Sequence, residues 1–424
     1  MAQFKTNEIV HFLKLLAMAV SVMFCVGLTA CLDLEEEDGV SSAVDDEPGG
    51  KDGGPRKDGM TGLFAEDVTD FSKTDVYGAF ANHYSLMYEN FSYQDEDGGV
   101  STIPMPFPLA VANLCDASKD SCKPKTVVIK SWISGFTDTS TITLVLDVNE
   151  DTIVSPSFIF DDDALLALTS PKKATRYIEA YALENGQTDL FYTNSMMVTI
   201  HPMQVFGLKE EAFFYSVDYL SQPKKIYDWY SVFVTPEADS IVAMVGEVAK
   251  KLPGGQLLVY QKYSDDSSVE QSLKRVVRAV FEVLQSRGIK YIEETGTSSV
   301  GQRINYPVET LRKKQGICIE TAVLFASILE KLGFDVRIIM IPGHAFVGWM
   351  MEDSGWMTEN GGGKIDLIET TLIADKSATF VDANNEGIVK FNEQLDSINS
   401  ESGSSSVVYI KKARLNGIMP NNIP

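Results

Sequence analysis

The chain is short of cysteine, histidine and positive charge. Five cysteines and four histidines stand among 424 residues, and 36 Lys and Arg face 59 Asp and Glu, for a net charge of −23. Such a deficit of basic residues argues against a nucleic-acid partner, because no basic stripe is present to displace counterions. It also disfavours tight binding to anionic lipid headgroups. No internal repeat is visible, and after the first thirty residues no apolar run is long enough to span a bilayer. His83 and His201 have no clustered Cys, Asp or Glu partners and read as structural histidines. Calcium asks for a clustered oxygen cage, and the acidic runs DEDG and DDD read as solvated turns. No metal and no cofactor is implied.

What is present is first an N-terminal leader. Lys5 and Lys14 flank an apolar run from Leu15 to Leu28, shorter than a comfortable membrane span. It ends in Leu28-Thr29-Ala30-Cys31, which resembles the lipobox of bacterial lipoproteins. The resemblance implies a signal peptide over 1–30, acylation of Cys31, and a chain tethered in the cell envelope, with the outer membrane expected. The competing reading is an ordinary cleaved secretory signal with Cys31 incidental. Residues 31–62 are acidic and rich in Gly and Ser, with hardly any large apolar residue. They cannot bury enough surface to fold and read as a linker.

The remaining cysteines sort by compartment. Cys115 and Cys122 bracket the polar stretch DASKDS and are expected to form a local disulfide in an oxidising environment. Cys318 is then the odd thiol, either buried and inert or a nucleophile.

Roughly 390 residues after the leader allow two domains or one large one, and 44% hydrophobic residues suffice for real cores. Over 63–230 the texture is β. Runs such as TVVIKSWISG, STITLVLDVN, PSFIF, RYIEAYAL and FYTNSMMVTI are short, rich in Val, Ile, Thr and aromatics, and broken by turns such as VNEDT and ENGQTD. They suggest an antiparallel sandwich of immunoglobulin-like type. Over 231–424 the texture becomes α+β. ADSIVAMVGEVAKKL, SVEQSLKRVVRAVFEVLQSRG, YPVETLRKKQ and CIETAVLFASILEKLG carry helical spacing. FDVRIIMI, HAFVGWMM and IDLIETTLI follow as strands, and VVYIKKARLNGI reads as a closing edge strand.

Cys318 therefore opens a helix, and His344 opens the second strand after it. A helix N-terminus offers partial positive charge and free N–H groups. A thiol placed there has its pKa drawn from ~8.5 into the range ~3.5–7.5, and its own backbone N–H can face the oxyanion of a tetrahedral intermediate. Gly316 is read as leaving room for a substrate chain, and Pro342-Gly343 as a tight turn that presents the imidazole.

The residues GICIETA, then GFDVRIIMIPGHAFVGW and LIETT, resemble the bacterial transglutaminase-like superfamily of papain-related cysteine enzymes, over about Tyr306–Leu372. That resemblance implies Cys318 as nucleophile and His344 as base. Its acid usually lies in a D-x-T stretch, and here the slot reads Glu369-Thr370-Thr371, which implies Glu369. Asp366 is the alternative acid. Along a strand, Ile365, Leu367 and Glu369 share one face while Asp366 and Ile368 share the other, so only one of the two acids can address His344. Gln302 and Tyr306 are candidates for a second oxyanion donor. Trp349 and Trp356 are placed equally well in a substrate cleft or, for Trp349, in the core. The expected activity is acyl transfer from an amide through a thioester, on a protein or a peptidoglycan stem peptide. A catalytically silent, tethered peptide-binding module is the alternative.

Overall fold

Two adjacent residues of positive φ, Asn185 (53°) and Gly186 (78°), give the type I′ turn that matches the twist of paired strands. They close a long hairpin whose arms, Lys172–Glu184 and Gln187–His201, pair from Glu184 and Gln187 outward. The computed structural model describes residues 62–69, 74–83, 92–94, 100–102, 107–115, 122–206, 223–255, 257, 266–293, 301–351, 364–400 and 404–424. The leader, Cys31, the linker to residue 61, and Trp356 lie outside the described residues.

The N-terminal part holds β1 (Gly62–Asp67), β2 (Asp75–Tyr77), β3 (Ser92–Gln94), β4 (Val100–Thr102), β5 (Leu109–Leu114) and β6 (Lys125–Ile133). After them come β7 (Ser140–Leu146), β8 (Asp151–Val154), β9 (Lys172–Glu184) and β10 (Gln187–His201). One sheet runs β1-β5-β8 and a second β2-β10-β9-β6-β7; β3 and β4 form a separate pair. Ala65, Leu109 and Val111 of the first sheet are buried in one cluster with Val127, Ile129, Ile178 and Ala180 of the second. The two sheets therefore stack as a sandwich, each fully buried aliphatic side chain contributing about 1.5–3 kcal/mol. The sandwich is not wholly antiparallel, since β2 runs parallel to β10.

Pro156–Phe160, expected as a strand, makes only an isolated bridge between Thr137 and Phe160. The chain turns instead into helix α1 (Asp162–Leu166), where Asp161 caps by accepting from the Ala164 N–H at 3.1 Å. Cys115 and Cys122 are disulfide-bonded, with Cα atoms 5.9 Å apart.

The C-terminal part adds β11 (Val205–Phe206), β12 (Lys290–Tyr291), β13 (Gln302–Arg303), β14 (Gln315–Gly316), β15 (Val336–Ile341), β16 (His344–Met350), β17 (Ile365–Ile368) and β18 (Ser406–Tyr409). Its helices are α2 (Asp239–Lys251), α3 (Asp266–Ser286), α4 (Pro307–Lys313), α5 (Cys318–Lys331), α6 (Phe380–Glu393), α7 (Leu395–Asn399) and α8 (Ile410–Leu415). An antiparallel sheet of order β17-β16-β15-β18 is central. Side-chain alternation sorts its two faces. Ile338, Val347, Trp349 and Ile368 join the core that includes α5, whereas Ile339, Phe346 and Leu367 pack with Ile388, Phe391 and Ile398 of α6 and α7.

Two sequence expectations need correction here. The tail is a closing edge strand only over β18; from Ile410 it is helix α8. The helix α6 has no counterpart among the expected elements, because VDANNEGIVKF carries Asn, Asp and Gly, weak helix formers, and places Asn384 and Gly387 on the buried face where apolar residues would signal a helix.

The sandwich and the C-terminal part share one core, in which Phe80 and Phe206 are buried with Phe233, Ile304 and Tyr306. Val205 pairs with Arg303 across β11 and β13. Near the junction His83 Nε2 accepts from the Met419 N–H at 3.2 Å. His201 stacks on Tyr77 and meets Asp75 Oδ1 at 2.9 Å. No helix among the described residues is long and apolar enough to cross a membrane.

Candidate active site

The antiparallel pairing of β16 with β17 sets the start of the first beside the end of the second. His344 and Glu369 therefore meet at one edge of the sheet, and α5, packed on that sheet, brings its N-terminus to the same edge. Pro342 followed by Gly343 with φ +72°, as a type II turn requires, joins β15 to β16 and presents His344.

His344 Nε2 donates to Glu369 Oε2 at 2.6 Å. Cys318 is half-buried and free, and its side chain lies near enough to His344 to raise the proton affinity of the imidazole. Sulfur, imidazole and carboxylate are thus gathered at one edge of the sheet. Glu369 is 1% exposed, and its other oxygen, Oε1, accepts from the Thr371 N–H at 3.0 Å and the Thr371 hydroxyl at 2.7 Å.

Asp366 lies on the opposite strand face, as alternation requires. Its Oδ1 accepts from Asn384 Nδ2 at 2.7 Å, and its Oδ2 stands 3.0 Å from Lys274 Nζ. Glu369, and not Asp366, addresses the imidazole.

A fourth group completes the arrangement. Lys390, on α6, donates to the same Glu369 Oε2 at 2.8 Å and stands 3.4 Å from His344 Nε2. Burial alone would neutralise both members of the ion pair, but the partners prevail. Desolvation disfavours charge on His344, yet the Cys318 and Glu369 hydrogen bonds hold it protonated up to about 9, with Lys390 pulling the other way. Burial likewise raises Glu369, but His344, Lys390 and the Thr371 N–H bring it down to about 2.

The entry to α5 is built by a buried acid. Glu320 Oε2 accepts from the Ile317 N–H at 3.0 Å and Oε1 from the Asn305 N–H at 2.7 Å, fixing the turn that delivers Cys318. The space at Gly316 is not left for substrate, contrary to expectation. A Cβ there would stand 3.2 Å from both Glu320 Oε2 and Thr310 Cγ2, so the missing side chain lets those two pack.

Tyr306 is fully buried, donates its hydroxyl to Met203 O at 3.2 Å and accepts from Asn421 Nδ2 at 2.7 Å, so it joins core elements. Gln302 lies in the short strand opposite Phe206. Trp349 is fully buried in the core. Two tyrosines that the sequence did not single out feel the charge of the sulfur. Burial first, and then charge on Tyr227 and Cys318, raises the proton affinity of Tyr230. Tyr291 is raised by partial burial and then by Cys318, Glu293 and Glu369, against Lys390; it pairs with Gly316 across β12 and β14. Among the described residues no group of three His, Cys, Asp or Glu is placed to hold a metal.

A free thiol at a helix N-terminus, beside an imidazole that a buried carboxylate orients, defines a cysteine–histidine–acid site. Residues 261–420, which contain all of these groups, match the family model of the transglutaminase-like superfamily, and this part of the chain is a transglutaminase-like domain. A search of curated proteins finds no match to the chain.

Proposed function

We propose that the protein is a cysteine acyl-transfer enzyme with Cys318 as nucleophile, His344 as proton carrier and Glu369 as the acid that orients it. The single observation that carries the reading is the His344–Glu369 pair beside the free thiol of Cys318. His344 takes the Cys318 proton; the thiolate attacks an amide carbonyl, forming the C–S bond and an oxyanion that faces the free N–H groups at the start of α5. His344 then gives the proton to the leaving nitrogen as the C–N bond breaks, and a thioester remains. Water releases an acid by hydrolysis, or an amine completes transamidation, with His344 as base in either case. No metal or cofactor enters these steps.

The substrate class that fits an envelope protein is a protein or a peptidoglycan stem peptide. The lipobox at Leu28–Cys31 supports a lipid anchor in a bacterial membrane, and Cys31→Ser should move the protein from the membrane to the soluble fraction. For the sandwich, the stacking of a three-stranded and a five-stranded sheet on one buried cluster supports an immunoglobulin-like reading.

The test is the rate of Cys318 alkylation against pH. Reactivity that persists at a pH where free cysteine has slowed, and that falls by roughly 10²–10⁴ in His344→Ala, is expected. A wild-type Cys318 that fails to react in the folded protein would count against catalysis and favour a silent binding module.

A further inference from the structure

We propose that Lys390 is a positioning residue of this site: its ammonium shares Glu369 Oε2 with His344 and keeps the imidazole able to release its proton to the leaving nitrogen. This rests on the acyl-transfer reading. The geometry is specific. Oε1 of Glu369 is engaged twice by Thr371, so both cations converge on the single remaining oxygen, at 2.6 and 2.8 Å. The two nitrogens stand only 3.4 Å apart, a distance at which like charges repel appreciably even at a protein surface.

Catalysis explains why such a cation is useful. A buried glutamate with no other partner would hold an imidazolium tightly. That serves the thiolate of the resting site, but it opposes the next two steps. The imidazolium must give its proton to the departing nitrogen, and after the thioester forms it must be neutral to accept one from water or an amine. Lys390 draws on the same carboxylate and disfavours charge on the ring, so both steps become easier. It neither gains nor loses a proton. The other charged groups facing this cluster are Cys318 on α5, Tyr291 and Glu293 beside β12, and Glu386, one turn before Lys390, at 3.6 Å from its ammonium. Glu386 is about half exposed and i,i+4 to Lys390, so it contributes weakly.

The experiment is an NMR titration of ring-labelled histidine in the full chain, with the His344 signal assigned from His344→Ala. Lys390→Gln, which removes the charge, should raise the His344 midpoint by about one pH unit or more, a tenfold change in proton affinity. Lys390→Met, which keeps most of the alkyl stem, should do the same and guards against a fold defect in the first variant. Lys390→Arg, which keeps the charge, should titrate as the wild type does. An unmoved midpoint in both neutral variants overturns the proposal, and so does an arginine variant that shifts as far as they do. The titration reads His344 whether or not Cys318 is reactive. Failure of the alkylation test would thus count against acyl transfer, and failure of the titration against Lys390 alone.

Discussion

Glu369→Gln removes one charge and changes almost no volume, so its effect isolates the electrostatics of the site. The wild-type carboxylate accepts from His344, Lys390, and both the N–H and hydroxyl of Thr371. An amide has one acceptor oxygen. Turned toward His344 and Lys390, it sets its NH₂ against the Thr371 N–H; turned the other way, it faces two cations with donors. Converted at about 1.4 kcal/mol per pH unit, the displacement of either His344 to about 9 or Glu369 to about 2 corresponds to about 3 kcal/mol. Both report the same ion pair, so it counts once. Lys390 is 27% exposed and can turn to water, which brings the expected loss to about 2–3 kcal/mol, below the ~3–5 of a fully enclosed pair. The pH dependence has a definite sign. The His344 contribution is complete below pH 6.5 and lost as pH rises through about 9. The Glu369 contribution is complete above pH 4.5 and lost as pH falls toward about 2. Urea unfolding of the two proteins should therefore show the widest gap between about pH 4.5 and 6.5, closing on both sides. The alkaline limb of Cys318 alkylation should also move down toward the ordinary imidazole range. A gap below about 0.5 kcal/mol, or one that does not vary with pH, would refute the reasoning.

Three further outcomes follow from the packing. Asp366→Asn should cost about 1–2 kcal/mol in thermal unfolding through its bonds to Lys274 and Asn384, while the alkylation rate of Cys318 stays unchanged. Gly316→Ala should destabilise by about 1–3 kcal/mol and slow alkylation, since Glu320 must yield and Glu320 holds the start of α5; calorimetry and the alkylation assay check this together. Gly387→Ala should be the more damaging glycine change, because its Cβ would lie 2.9 Å from the backbone nitrogen of Ile368 and 3.1 Å from that of Glu369. Here no side chain can move aside, and the melting temperature should fall further than for Gly316→Ala.

Local chemistry made much of the site legible in the sequence. Cys318 at the head of a helix and His344 after a Pro-Gly turn follow from patterns of a few residues, which short-range sterics impose. Strand alternation says that only one of Glu369 and Asp366 faces His344, and the family resemblance, not periodicity, points to Glu369. The Asn185-Gly186 turn is legible for the same reason. Lys390 was not legible. It lies 21 residues beyond Glu369 on a helix of weak propensity, and only the packing of Ile388 and Phe391 on the sheet aims it at the site. The buried pair of Arg176 with Asp67 inside the sandwich is hidden likewise, because 109 residues of chain separate two charges that become partners only when the sheets close. Gly316 was misread since a glycine announces a close approach without saying what approaches.

The last residues of the chain carry a further consequence. Asn421 donates to Ala79 O and to the Tyr306 hydroxyl, and its own N–H reaches Val232 O. Arg414 binds Ser231 O and Val234 O and pairs with Glu330 at the far end of the nucleophile's helix. These contacts join residues up to 342 positions apart, so they cannot form on a growing chain until residues 414–421 have been made. Strand β18, which completes the sheet beneath His344, also arrives late. A nascent chain that lacks residues 406–421 would hold Cys318 and His344 on elements not yet locked together, and the nucleophile would stay unassembled until those residues are in place.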